Sequence, residues 1–310
     1  MHGSVDSPYK WFESFTNFVT AYDEYNEKCQ NLGKMGFELE GGTECADERK
    51  MRAVMAYAQG MNEPCVFYNR KTGMRLALFV DDVISKGSHS ETVKFYEMLN
   101  EKYPLRSWDI LSENTPLVHL GYKITEEVID GKTYRYMSQE DDVIHTLNEA
   151  DIHITKHVGS PMPERDSILK DSRILNKDEK SYFKSLVGSL SFYAISLRWD
   201  IAHSVARVQQ FNESPTKGAL NAAIRIAMYV GCTSNFRLGG EVQYGDMNDM
   251  TYYADSDHAG DMNMCLYSHS GCIFLMNGVP IHWRSKKQPV SVISPAHAEI
   301  FAASEALTPK

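Results

Sequence analysis

The chain has 310 residues, room for about two or three domains with a sizeable core, and its 43% hydrophobic and 24% charged content is that of a globular protein. A net charge of −9 counts against a nucleic-acid binder, whose affinity rests on neutralising phosphates, unless a local basic groove sits in an acidic remainder. No apolar run approaches the roughly 18 residues of a membrane span, the N-terminus lacks the basic start and apolar core of a signal peptide, and six cysteines without C-x-x-C spacing give neither a zinc site nor a disulfide framework.

Ser7-Pro8 opens a helix, with Ser as N-cap and Pro at the first helical position. Trp11, Phe12, Phe15, Phe18, Val19 and Tyr22 then recur at helical spacing and form a core stripe. Residues 46–59 read as a second, weaker helix carrying Met51, Val54, Met55 and Tyr57. Cys65-Val66-Phe67-Tyr68 and the Lys71-Thr72-Gly73 turn lead into Leu76-Ala77-Leu78-Phe79-Val80-Asp81-Asp82-Val83-Ile84. Two acids inside so short an apolar run cannot be buried unpaired. The simplest solution is a hairpin with Asp81 and Asp82 at its tip. Such a pair is either an exposed acidic turn or a hard-oxygen site suited to magnesium. The local basic candidates are Arg284-Ser285-Lys286-Lys287, the pair Arg70-Lys71, and the scattered Arg75 and Lys123, and the ordinary reading of such a cluster is a solvated face.

Ser88-His89-Ser90-Glu91 has capping-box form and precedes a helix that turns Val93, Tyr96 and Leu99 inward and closes before Pro104. Leu117–Ile124 reads as one strand containing Gly121. Asp130-Gly131 between apolar runs is a hairpin signal. Ser138 caps a helix through Ala150, with Val143, Ile144 and Leu147 on one face. Residues 151–176 look like a linker, in which His153 and His157 stand four residues apart without an evident third ligand. Three helices follow, over 177–196, 200–211 and 216–230. Asn176 and Glu179 form a capping box for the first, and Gly188-Ser189 offers a flat patch for close packing. Gly239-Gly240 marks a break. Thr251–Asp255 is a strand ending in an acid, Asn277-Gly278 joins a second hairpin, and Ser294-Pro295 starts a last helix bearing Glu299. A strand-end aspartate facing an acid on a helix is one way that metal-dependent nucleases place carboxylates on cations.

The order of these features resembles part of the Pol polyprotein of copia-type LTR retrotransposons. Met1–Pro8 is similar to the family's L-Y-G-L-K-Q-S-P, and Phe79-Val80-Asp81-Asp82 to the Y-V-D-D box of reverse transcriptase. His119-Leu120-Gly121-Tyr122 is similar to the F-L-G segment, and Met137-Ser138-Gln139 to L-S-Q. Tyr182–Leu190 and Arg198-Trp199-Asp200-Ile201-Ala202 resemble Y-R-S-L-V-G-S-L and T-R-P-D-I-A. Tyr253–Gly260 resembles Y-S-D-A-D-W-A-G, Trp283–Pro289 resembles W-x-S-K-K-Q-P, and Ala298-Glu299-Ile300 the A-E-Y of the RNase H helix.

The resemblance implies an α+β fold: a partial reverse-transcriptase palm and thumb over 1–165, a helical connection over 166–245, and a truncated RNase H-like mixed sheet over 246–310. It implies RNA-directed DNA polymerase and ribonuclease H chemistry, with Asp81, Asp82, Asp255 and Glu299 as catalytic, magnesium-binding carboxylates. It places Gly3, Ser7, Pro8, Phe79, Leu120 and Gly121 against substrate. The implied partners are an RNA template, a DNA primer, the RNA–DNA hybrid and deoxynucleotide triphosphates, in an intracellular, cytoplasmic or nuclear, setting away from membranes. Several positions depart from the pattern. The third polymerase aspartate and the remaining RNase H acids of the family have no counterpart within the chain, so both sites are expected to be incomplete. Asp6 stands for Gln, Phe79 for Tyr, His258 for Trp, and Leu266-Tyr267 for basic residues. A non-catalytic remnant acting through interactions is the alternative expectation.

Overall fold

The computed structural model describes residues 57–61, 63–162, 167–169, 171–242, 249–258 and 267–307, with Phe15, Thr16 and Val19. The chain divides into two units, Met1–Ile110 and Leu111–Lys310. Gly3, Ser7, Pro8 and most of the N-terminal aromatic stripe lie outside the described residues.

In the first unit, β1 (Tyr57–Gln59), β2 (Val66–Asn69), β3 (Arg75–Phe79) and β4 (Asp82–Lys86) form an antiparallel sheet in sequence order. Tyr57–Gln59 is thus a strand, where the sequence pattern suggests the end of a helix; its register with Asn69, Tyr68 and Phe67 overrides weak helical propensity. Phe67, Leu76 and Leu78 alternate onto the buried face. Helix α1 (His89–Lys102) covers them with Phe95, Tyr96 and Leu99, its N-terminus capped by Ser88, which accepts from Glu91 N. The aromatic stripe contributes Phe15 and Val19, both fully buried, with Phe15 edge-on to Phe67 at 5.7 Å. Phe95 joins this core in place of the expected Val93, which is half-buried.

In the second unit, β5 (Leu117–His119), β6 (Tyr122–Ile129), β7 (Lys132–Ser138) and β8 (Leu238–Glu241) pair antiparallel in that order. Leu117–Ile124 is therefore two strands rather than one. Leu120 (φ 51°) and Gly121 (φ 80°) make a two-residue turn between His119 and Tyr122. Gly239 sits inside β8 rather than at a break: a Cβ there would lie 1.9 Å from the Arg135 carbonyl oxygen, so only glycine permits the pairing.

Among the described residues, five helices accompany these strands: α2 (Glu140–Glu149), α3 (Lys177–Ser196), α4 (Ala202–Gln209), α5 (Lys217–Cys232) and α6 (Pro295–Ala306). Helices α2 to α5 share one core, centred on Phe183, Leu190, Tyr193, Ile201, Ala223 and Ile226. Ser138 ends β7 and Gln139 occupies the α2 N-cap, so the expected serine cap is displaced by one residue. Ile144 is exposed while Val143 and Leu147 are buried. Residues 151–176 are not a free linker, because Ile152, Met162, Ile168 and Leu175 pack on the helical core. Gly188 is exposed and a Cβ on it would touch nothing, so it makes no close packing.

Strands β9 (Met250–Asp257), β10 (His269–Met276) and β11 (Val279–Lys287) form the last sheet, ordered β11-β10-β9. Its described strands are all antiparallel, where a mixed sheet was expected. β10 and β11 are joined by the Asn277-Gly278 hairpin; a parallel pair would need a crossover of about a dozen residues or more.

Candidate functional site

The acidic pair sits where β3 turns into β4. Phe79 pairs with Asp82, so the loop is Val80-Asp81, and Asp82 is already the first residue of a strand. Val80 takes φ 55°, a left-handed value that costs a β-branched residue roughly 1–3 kcal/mol. That strained reversal interrupts strand alternation and presents two adjacent carboxylates at one exposed tip.

The outer face of the same sheet runs up to that tip. Register places Arg75 beside Lys86, Phe79 beside Asp82, and Tyr68 beside Arg75. The Arg75 guanidinium lies 5.7 Å from the centre of the Tyr68 ring. Tyr68 and Phe79 are 40% and 57% exposed, well above what core packing would leave. An aromatic and basic strip therefore ends in two acids. Leu120 and Gly121, in the second unit, occupy the tip of the β5–β6 hairpin.

Asp255 and Glu299 are held on different sides of the C-terminal sheet. Ser270 and Cys272 on β10 face α6: Gln288 Nε2 donates to both Ser270 Oγ and the Ala298 carbonyl, each at 3.0 Å, and Cys272, Arg284 and Lys286 lie against Ala302 and Glu305. Asp255 pairs with Gly271, one step out of phase, so its side chain alternates to the opposite face. Glu299 rides exposed on α6 beside the buried Ala298. Among the described residues, no group of three or more His, Cys, Asp or Glu side chains could hold a metal ion. This includes His153, which pairs with Asp151 at 3.1 Å.

The face that carries Asp255 borders a cavity of about 450 Å3, lined among others by Trp199, His203, Asp257, His269 and Trp283. His203 and His269 meet edge to face at 5.4 Å, and His203 Nδ1 lies 3.4 Å from Ser285 Oγ. Burial, with His203 and Arg207 nearby, pushes His269 down to about 4. The sequence pattern gave no hint of this cavity, since its residues come from four separated stretches. Of its carboxylates, only Asp255 stands out in the sequence, as the end of a strand over Thr251–Asp255.

A second cluster also escaped the sequence. Arg198, 4% exposed at its side chain, donates to Asp200 through Nε and Nη2 at 2.9 and 2.8 Å and to Thr233 Oγ1 at 2.6 Å, while Tyr229 donates to Asp200 at 2.9 Å. This is a structural staple of the helical core.

The similarities of this chain lie among mobile-element proteins. The chain is 29% identical over 259 residues to the retrovirus-related Pol polyprotein from transposon TNT 1-94 of Nicotiana tabacum, which covers 80% of this chain and 19% of that protein. It is 27% identical over 235 residues to the retrovirus-related Pol polyprotein from transposon RE1 of Arabidopsis thaliana, covering 76% of this chain and 15% of that one. A shorter match, 32% over 124 residues, covers 40% of this chain and 85% of secreted RxLR effector protein 161 of Plasmopara viticola. This chain is related to the Pol polyproteins of retrotransposons. It spans about a fifth or less of the length of those Pol relatives. No family model and no solved structure matches it. No helix among the described residues is long and apolar enough to cross a membrane.

Proposed function

We propose that this chain is a reverse transcriptase and RNase H-like part of a Pol polyprotein, with Asp81 and Asp82 as two carboxylates of a two-metal phosphoryl-transfer site. The observation that carries the reading is the β3–β4 hairpin: adjacent aspartates on an exposed, strained tip, at the end of a face bearing Tyr68, Arg75 and Lys86. Magnesium is bound through one or two carboxylates plus substrate phosphates, and two exposed aspartates meet that demand. Bound there, it would lower the barrier to phosphoryl transfer by stabilising charge on the attacking and leaving oxygens. Arg75 and Lys86 attract the backbone of a primer or template strand, and Tyr68 and Phe79 offer rings on which bases stack. Gly3, Ser7, Pro8, Leu120 and Gly121 are the further substrate-side residues that the family resemblance assigns, toward deoxynucleotide triphosphate, primer and hybrid.

A second reading is favoured by one observation. Asp255 and Glu299 lie on opposite sides of their sheet, so these two acids do not converge on one site, and no group of three or more metal-ligating side chains is found among the described residues. On that reading the C-terminal sheet is a non-catalytic remnant that acts through interactions.

The test of the first reading is manganese titration of the whole chain, followed by water-proton relaxation. Binding in the millimolar range is expected, weakened about tenfold by Asp81→Asn. Affinity that is unchanged in the Asp81→Asn/Asp82→Asn double variant would sink it. Primer extension on an RNA template by this chain with magnesium is expected to stay at background, since the described residues supply two carboxylates per site at most.

A further inference from the structure

We propose that the cavity between α4 and the β9–β11 sheet binds an organic cation: a primary ammonium or guanidinium group on an alkyl chain. The proposal rests on the second unit alone and is independent of the reading of Asp81 and Asp82. At about 450 Å3 the cavity has the size of a small-molecule site.

Its walls are aromatic and apolar. Trp199, Tyr253, Ile273 and Trp283 line it, and Trp283 is fixed by its Nε1 donating to the Ala194 carbonyl at 2.6 Å. Gly271 forms an open floor, where a Cβ would meet nothing within 4 Å. Ring faces attract organic cations through their quadrupoles.

Its charge is acidic. Asp255 and Asp257 are two residues apart on β9, so both alternate onto the cavity face, with Cα atoms roughly 6.5–7 Å apart. A cation seated against β9 reaches the exposed Asp255 carboxylate. Arg284 also borders the cavity, but its guanidinium is turned to Glu305 at 3.6 Å on the α6 side. Arg207 and Lys287 act on His269 from nearby without lining the space. His269 is neutral at pH 7, and its buried Nε2 has no hydrogen-bond partner among the described residues; with the proton on Nδ1 it accepts from an N–H donor in the cavity.

The alternatives fit less well. Carboxylates repel a phosphate. A bare metal ion gains nothing from indole rings, and no described cluster of three ligands is present for it.

The experiment is a titration of the intact chain by tryptophan fluorescence. The probes are lysine methyl ester, arginine methyl ester and spermidine, with adenosine and magnesium as comparators. Saturable change is expected for the amines and guanidine in the millimolar range or below. Asp255→Asn should weaken it about tenfold, and Tyr253→Ala, at a 60% exposed position, about two- to fivefold. Preference for spermidine would assign a free polyamine, and preference for the esters a basic protein side chain. No saturation by any amine overturns the proposal. Adenosine binding more tightly than every amine overturns it as well, as does magnesium reproducing the same response.

Discussion

Arg198 shows how much a single residue can hold. Its guanidinium lies over Phe236 at 5.0 Å and Tyr229 at 5.5 Å while donating to Asp200 and Thr233. Removing the cation strands a mostly buried carboxylate, so Arg198→Met should cost about 3–5 kcal/mol in urea unfolding. Adding Asp200→Asn to it should recover part of that loss. A single variant within the error of the parent would show the network to be dispensable. His269 gives a second prediction at this scale. Its folded value of about 4 is below the ordinary 6.5, so between those limits the unfolded chain binds more protons. The stability this neutral histidine confers is complete above pH 6.5 and is lost as pH falls toward 4. Thermal unfolding of the parent should therefore drop more steeply than that of His269→Gln across this window; parallel pH profiles would refute the assignment.

The elements that sequence reasoning read correctly are those decided locally. The capping box at α3 needs only Asn176 and Glu179, and both reciprocal bonds form, at 3.0 and 3.1 Å. The Arg173 guanidinium, then the Asn176 backbone N–H, hold the Glu179 carboxyl down at about 2. Its contribution is present above the ordinary carboxylate range and disappears as pH falls from about 4.5 toward 2. Asp-Gly and Asn-Gly turns were legible for the same reason, because the left-handed pair is written in two adjacent residues. Leu120-Gly121 adopts the same signs with a residue that advertises nothing. Gly239 was unreadable because the carbonyl that demands it is more than 100 positions away. The β3–β4 tip lies between these cases: Asp81 and Asp82 were legible, the strain at Val80 was not. Val80→Gly relieves a left-handed valine at the cost of unfolded-state entropy, and should stabilise the hairpin by about 1 kcal/mol. Urea unfolding of the first unit reads it, and a loss of stability would mean that the Val80 side chain is held by contacts stronger than its strain.

At the scale of the whole molecule, the candidate hairpin could be found in the sequence because its residues are contiguous. The C-terminal cavity could not, because Trp199, Asp255, His269 and Trp283 converge only through sheet register and helix placement. The same distinction governs stability. One core draws on Phe15, Tyr57, Phe67, Leu76, Phe95 and Leu99, all within Met1–Ile110. The other draws on Val143 through Val230, all within Leu111–Lys310. Among the described residues, each cluster draws its buried members from one unit. Phe67 is fully buried, and Phe67→Ala should cost its unit about 3–5 kcal/mol through lost transfer energy and the cavity left behind. Amide exchange measured on the full chain separates the possibilities. Protection of β2, β3 and α1 should collapse in Phe67→Ala while that of α3 and α5 stays at the parent value. Phe183→Ala should do the reverse, because Phe183 is buried only among the helices. Equal losses of protection in both units from either substitution would mean that the chain unfolds as one cooperative body and that the division at Ile110 has no energetic meaning.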